Sequence, residues 1–129
     1  MESGKHNRRD LGQTGEELAC RLLEDKGHTV LERNWRYGHL EIDIVSADAY
    51  GIHFVEVKTR SQSIQAPPQE NVGRMKQKNI IKAAQAYLRT GKGINFRNAE
   101  CSFDVVAVTF RQGKAETELI EQAYIPMFV

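Results

Sequence analysis

Apolar residues recur along this chain with two different periods. Between Thr14 and Gly27, the residues Leu18, Ala19, Leu22 and Leu23 form one helical stripe. Thr14-Gly15-Glu16-Glu17 has the form of a capping box and Gly27 stands where a helix stops, so the spacing predicts a helix of roughly three to four turns. Thr29 to Trp35, Glu41 to Ala47 and Ile52 to Thr59, rich in Val, Ile and Phe, read as three strands. Asp48-Ala49-Tyr50-Gly51 suits a four-residue hairpin turn between the last two. Ser61 to Pro68 is polar and carries Pro67-Pro68, which makes it a loop that ends the sheet segment. From about Val72 to Leu88 the positions Val72, Met75, Ile80, Ala83, Ala84 and Tyr87 follow helical spacing, and Gly91 closes the segment. Phe103 to Phe110 is apolar on both faces, as a central strand is, and Glu118 to Tyr124 is a weaker final strand before Pro126. Residues 1–13, polar and aperiodic, read as a loose arm ahead of a domain over 14–129. The expectation is a single α/β domain with an α-β-β-β-α-β core, a central mixed sheet flanked by helices, and one further strand.

Composition agrees with that size and class. At 129 residues the chain has room for one domain with a real core, and 40% hydrophobic against 27% charged residues is an ordinary globular balance. The longest apolar runs, such as Val105 to Val108, are far too short to cross a bilayer, so no membrane partner is expected. The N-terminus has no apolar stretch of the secretory kind, from which a cytoplasmic location follows as an expectation. Cys20 and Cys101 lack metal-ligand spacing and read as two reduced core thiols rather than a zinc site or a disulfide. The net charge of +1 hides an asymmetry. Residues 71–99 carry seven basic side chains and no acidic one, which leaves eleven basic against seventeen acidic residues elsewhere. One face should attract polyanions while another holds carboxylates.

Chemistry enters with Glu56-Val57-Lys58. Side chains alternate along a strand, so Glu56 and Lys58 share a face. Alone this pattern is weak, since Glu24-Asp25-Lys26 matches it too. The hairpin strengthens it: a symmetric turn over 48–51 pairs Ala47 with Ile52, which places Asp43 opposite Glu56 and Glu41 opposite Lys58. Directly opposed carboxylates repel unless something positive lies between them. Mg²⁺ (or Mn²⁺), which takes one or two carboxylates with waters and phosphate oxygens, meets that need. Lys58 would hold a water or hydroxide and balance charge on a phosphate, a grouping suited to phosphodiester hydrolysis. The other reading of the same four residues is a solvated sheet face of surface ion pairs.

At these residues the chain resembles a known family. Gly15-Glu16 with Ala19, Asn34-Trp35-Arg36, Glu41-Ile42-Asp43, Phe54 through Arg60, Lys76 with Ala83-Ala84 and Tyr87-Leu88, and Phe103-Asp104-Val105-Val106 look like the YraN-like family of small bacterial proteins. The resemblance runs from about residue 12 to 110. It implies the restriction-endonuclease-like fold of the PD-(D/E)xK nuclease superfamily, in a layout similar to archaeal Holliday-junction resolvases. It further implies that Asp43, Glu56 and Lys58 are the metal and catalytic residues, that Glu16 is an accessory acid, and that Mg²⁺ and DNA are the cofactor and partner. Two positions depart from the family pattern: Leu40 stands where Gly usually precedes Glu-Ile-Asp, and Ser102 where Arg usually precedes Phe-Asp. The first alters the approach of backbone to substrate, and the second removes a phosphate contact or an internal ion pair.

Several other residues have two readings. From spacing alone Glu16 is a first-turn acid facing the helix dipole or a side chain reaching into the site. Arg74, Lys78, Lys82 and Arg89 recur on one face of the second helix without acidic partners, and are expected to contact phosphates. Lys76, on the apolar side, either snorkels outward or points to the site edge. Arg60 and Gln62 follow the Glu-x-Lys strand, where they contact a scissile phosphate or do nothing. His39 is a lone loop histidine expected to be idle, while Trp35 and Tyr37 are candidates to stack on an exposed base, with core packing the favoured reading for Trp35 inside its strand. Asp104, in an apolar strand, needs a partner and is read as structural. The function expected is a Mg²⁺-dependent endonuclease acting on DNA in repair or recombination, with RNA left open. The alternative is a non-cleaving DNA-binding module with the same fold. A homodimer is expected only by likeness to junction resolvases.

Overall fold

The computed structural model describes residues 8–61 and 72–125, with side chains from residue 14 onward. Gln62, most of the expected loop to Pro68, and residues 1–7 of the expected arm lie outside the described residues. The elements run α1 (Arg8–Asp25), β1 (Thr29–Tyr37), β2 (Leu40–Asp48), β3 (Gly51–Ser61), α2 (Arg74–Tyr87), a short 3₁₀ turn (Gly93–Phe96), β4 (Glu100–Arg111) and β5 (Lys114–Ile120). They build one five-stranded sheet in the order β1-β2-β3-β4-β5, antiparallel except for the parallel β3–β4 pair. The β3–β4 register is unbroken from Gly51–Glu100 to Ser61–Phe110. These are the single α/β domain and the mixed sheet flanked by helices that the pattern predicts.

The helices cover opposite faces. Ile80, Ala83, Ala84 and Tyr87 of α2 pack with Ile52, Phe54, Phe103 and Val105. Ala19, Cys20 and Leu23 of α1 pack with Ile44, Val55, Val106 and Val108. Burying these faces supplies the main driving force, at roughly 1.5–3 kcal/mol per large apolar side chain. Trp35 lies against the α2-side core, edge-to-face on Tyr87 at 5.1 Å.

Local boundaries differ from expectation where neighbouring residues extend a helix, stop it early or close a hairpin. The first helix begins at Arg8, so Thr14 to Glu17 lies inside it and caps nothing. Its end is as expected: Gly27 has a φ of 94°, and the N–H groups of Gly27 and His28 donate to the carbonyls of Glu24 and Leu23. Helix α2 starts at Arg74, leaves Met75 68% exposed, and stops at Tyr87. The Thr90 hydroxyl donates to the Tyr87 carbonyl, ending the helix before Gly91 is reached. Arg89 therefore sits beyond the helix rather than on its basic face. The final strand is Lys114–Ile120, not Glu118–Tyr124, because Gln112-Gly113, at φ 52° and 77°, turns β4 straight into a tight hairpin. Cys101 is exposed at the start of β4, and only Cys20 is a core thiol.

Candidate active site

The hairpin register fixes the site. Asp48 pairs with Gly51 across Ala49-Tyr50, and Asp48 Oδ1 accepts the N–H groups of Tyr50 and Gly51. The turn is two residues shorter than expected, yet Ala47 still pairs with Ile52 and Ile44 with Val55. One further step would place Asp43 opposite Glu56, but the recorded pairing ends at Ile44–Val55. There the strand departs from regularity: Ile42 and Val45, three positions apart, both join the α2-side core, while Ile44 joins the other. Strand β1 is irregular at the same level. Its register with β2 is the same at Arg33–Ile44 and at Trp35–Ile42, but Asn34 and Asp43 between them form no ladder pair, and Asn34 has a φ of 52°. Asn is one of the few residues that takes this left-handed backbone without large strain.

The Asp43 carboxylate uses the freedom this creates. Its Oδ2 accepts the Val57 N–H at 2.8 Å, tying β2 to the middle of Glu56-Val57-Lys58 through a side chain. Burial first, and the Glu56 carboxylate second, push Asp43 up to about 7, against the stabilising Val57 N–H. Glu16 pushes in the same direction and Lys76 opposes it. Glu16 therefore stands within electrostatic reach of Asp43, as an accessory acid must, and its Oε1 accepts the Asn34 side-chain amide at 3.1 Å. A close approach makes this possible: a methyl group on Gly15 would run into the Thr59 hydroxyl, so only glycine lets α1 settle on β3 at this level.

Of the two directions open to Lys76, the structure takes the one into the site. Its Nζ lies 3.2 Å from Glu56 Oε2, with the side chain 54% exposed. Against the opposing effect of burial, Glu56 and then Asp43 hold Lys76 above the usual lysine range. Lys58 and Arg60 continue along β3, partly buried, with Lys58 on the face of Glu56 by alternation. Glu41, expected opposite Lys58, instead pairs at 3.7 Å with Arg36 of β1. Arg74, Lys78 and Lys82 are exposed on α2 and Arg89 follows it, exposed as well. This gathers Asp43, Glu56, Lys58 and Lys76 about the end of the β2–β3 pairing, beside the basic helix α2, with Glu16 approaching Asp43 from α1. It is the grouping that phosphodiester chemistry uses.

The chain also matches, over residues 15–108, the model of the uncharacterised protein family UPF0102. It belongs to that family. The UPF0102 protein of Bacteroides thetaiotaomicron is 37% identical over 122 residues, covering 95% of this chain and 96% of its own length. That of Chlorobium limicola is 43% identical over 103 residues, covering 80% and 78%. UPF0102 is the YraN-like family of the resemblance and a member of the restriction-endonuclease-like superfamily. Among solved structures, the chain is similar to SfsA of Pyrococcus furiosus in complex with Ca²⁺, at 16% identity and a TM-score of 0.42, spanning 90% of this chain and 63% of that one.

Within this UPF0102 chain, the sequence pattern singles out the acidic pair and Lys58 but not what positions them. Asn34 and Gly15 were legible only as parts of the family resemblance, with no role attached. The Val57 N–H is invisible to any side-chain pattern. Missed altogether is a buried polar cluster at the turn end of the hairpin. His53 Nδ1 lies 2.8 Å from Asp104 Oδ2 and His53 Nε2 2.9 Å from Asp48 Oδ1. His28 Nδ1 lies 2.8 Å from Ser46 Oγ. Asp104 thus has the partner its burial demands, and Ser102, one of the two family departures, donates its hydroxyl to Asp104 Oδ1. Burial lowers His53, but the two carboxylates prevail and hold it at about 9, whereas burial and the neighbouring His53 depress His28. The available signal was three polar residues, Ser46, His53 and Asp104, inside otherwise apolar strands. His39 is exposed and Tyr37 is 50% exposed. Among the described residues, no helix is long and apolar enough to cross a membrane.

Proposed function

We propose that this UPF0102 protein is a Mg²⁺-dependent endonuclease that hydrolyses phosphodiester bonds of DNA, in repair or recombination. One observation carries the reading: the β2–β3 pairing ends short of Asp43, whose Oδ2 accepts the Val57 N–H between Glu56 and Lys58, while Lys76 lies on Glu56. Burial first and the Glu56 carboxylate second raise Asp43 to about 7, a cost that a cation at Asp43 would relieve, and Asp43 and Glu56 are the oxygen donors that would hold Mg²⁺ or Mn²⁺. Such an ion, when bound, supplies Lewis-acid polarisation of a phosphoryl oxygen. Lys58 would position the attacking water and balance the charge that develops on the phosphate. Glu16 adds a second carboxylate around Asp43, and Asn34 holds it in place. The exposed basic residues of α2, with Arg89 and Arg60, would bind the flanking phosphates.

A single panel of labelled single-stranded, duplex, flap and four-way-junction DNA, with RNA counterparts, tests this in Mg²⁺ or Mn²⁺. Wild type should cut at least one substrate, and Lys58→Ala should cut it at least ~100-fold more slowly. The second reading, a non-cleaving DNA-binding module, draws on the Lys76–Glu56 pair, which neutralises Glu56 without a metal ion. Equal inactivity of wild type and Lys58→Ala, with salt-sensitive DNA binding that survives Asp43→Ala, would favour that module.

A further inference from the structure

The buried cluster at the turn end of the β2–β3 hairpin lies five residues along β2 from Asp43, about 17 Å at the rise of a strand. It joins four parts of the fold. His28 comes from the residue that completes the α1 stop, Ser46 and Asp48 from β2, His53 from β3 and Asp104 from β4. Its arrangement is directional. The Nε2 atoms of both histidines converge on one carboxylate, His53 at 2.9 Å from Asp48 Oδ1 and His28 at 3.5 Å from Asp48 Oδ2. Both Nδ1 atoms point away and are held, one by the Ser46 hydroxyl and the other by the Asp104 carboxylate. Asp104 is itself 1% exposed and fixed through its other oxygen by Ser102 and by the Gln122 N–H.

Metal-bound histidines characteristically engage their second ring nitrogen with a carboxylate, carbonyl or hydroxyl that sets ring orientation, and here both rings are so held before any ion is considered. His28, Asp48 and His53 each offer a ligand atom within 4.8 Å of the others. A tetrahedral ion with bonds of about 2.0–2.1 Å needs its ligand atoms about 3.4 Å apart, so closure by little more than an ångström suffices. Two imidazoles with ring centroids 4.3 Å apart around one carboxylate suit a nitrogen-preferring dication better than Mg²⁺, which seeks oxygen. A pocket of about 150 Å³, lined by Asp48, His53, Glu100, Cys101 and Glu121 among others, reaches the cluster from solvent. Its carboxylates would draw in a cation.

We propose that His28, Asp48 and His53 form a site for one divalent transition-metal ion of the Zn²⁺ type, separate from the nuclease centre, which clamps the α1 terminus to the sheet. The full-length protein, stripped with chelator, is titrated with Zn²⁺ by calorimetry and with Co²⁺ by visible absorption. One Co²⁺ per chain should bind with the absorption of a tetrahedral site and be displaced by Zn²⁺. Binding should persist in an Asp43→Asn/Glu56→Gln variant, and weaken at least ~100-fold in His28→Gln and in His53→Gln, and ~10–100-fold in Asp104→Asn. Where a histidine variant does not fold, ring ¹⁵N shifts of the wild type decide, since Zn²⁺ should move His28 and His53 and leave His6 and His39. No binding at about 0.1 mM metal, a concentration well above the dissociation constants of specific Zn²⁺ sites, binding lost with Asp43 and Glu56, or shifts confined to other histidines would each overturn the site.

Discussion

Asp43 is the residue on which the energetics of the candidate site turn. Its carboxyl titrates at about 7 in the folded protein, against about 4 in an unfolded chain. Between those values the folded state holds more protons than the unfolded state, so stability falls as pH rises from about 4 to about 7 and the full cost is present above 7. His53 acts in a higher window. Its raised value means a contribution fully present below about 6.5 and lost as pH rises through about 9. Asp43→Asn should therefore flatten only the lower window. Thermal unfolding in EDTA between pH 4 and 8 reads this directly: relative to the variant, wild type should lose about 3 °C or more between pH 5 and 7. Adding Mg²⁺ at pH 8 should restore that loss in wild type and do nothing for Asp43→Asn. Parallel curves for the two proteins would mean that Asp43 ionises as an ordinary carboxylate.

At the scale of elements, the site depends on how α1 and β1 meet β2 where its pairing with β3 ends. A mid-helix glycine ordinarily costs stability, and replacing it with Ala gains roughly 0.5–1 kcal/mol. Gly15 should behave in the opposite way, because the added methyl meets Thr59 of β3. Gly15→Ala is expected to destabilise by about 1–3 kcal/mol through overpacking, and Thr59→Ala in the same chain should recover most of it. Denaturant unfolding of the two single variants and the double variant checks the coupling; additive effects would show that helix and strand do not touch there. Element types were largely legible in the sequence, since Val-, Ile- and Phe-rich runs and the two helical stripes have strong periods. Boundaries were less so. The capping-box residues were overridden by a helix that continues through them, and the Gln112-Gly113 turn moved the last strand by four residues. In both cases a local signal yielded to neighbouring residues able to extend a helix or close a hairpin.

For the whole molecule, the decisive feature is charge placed by fold. Lys82 and Arg89 are exposed at and just beyond α2, on the helix whose Lys76 reaches the carboxylates. If the site acts on nucleic acid, these two contact flanking phosphates, and Lys82→Ala/Arg89→Ala should lower the slope of log affinity against log salt by about 2. Fluorescence anisotropy with duplex DNA across a salt series measures it. An unchanged slope would place the nucleic acid on another face.

The sequence by itself determined the periodicity of each element, the register of the hairpin from its turn as far as Ile44 and Val55, and the basic character of α2. These depend on neighbours in the chain, for which a period of 2 or 3.6 is enough. Only the tertiary structure decided that the β2–β3 pairing ends short of Asp43, that Lys76 turns inward, that Glu16 comes within reach, and that His28, His53 and Asp104 converge. Such contacts join residues 18 to 51 positions apart through packing of separate elements. Their free energy comes from burial and from satisfying buried polar groups, terms that no local pattern carries.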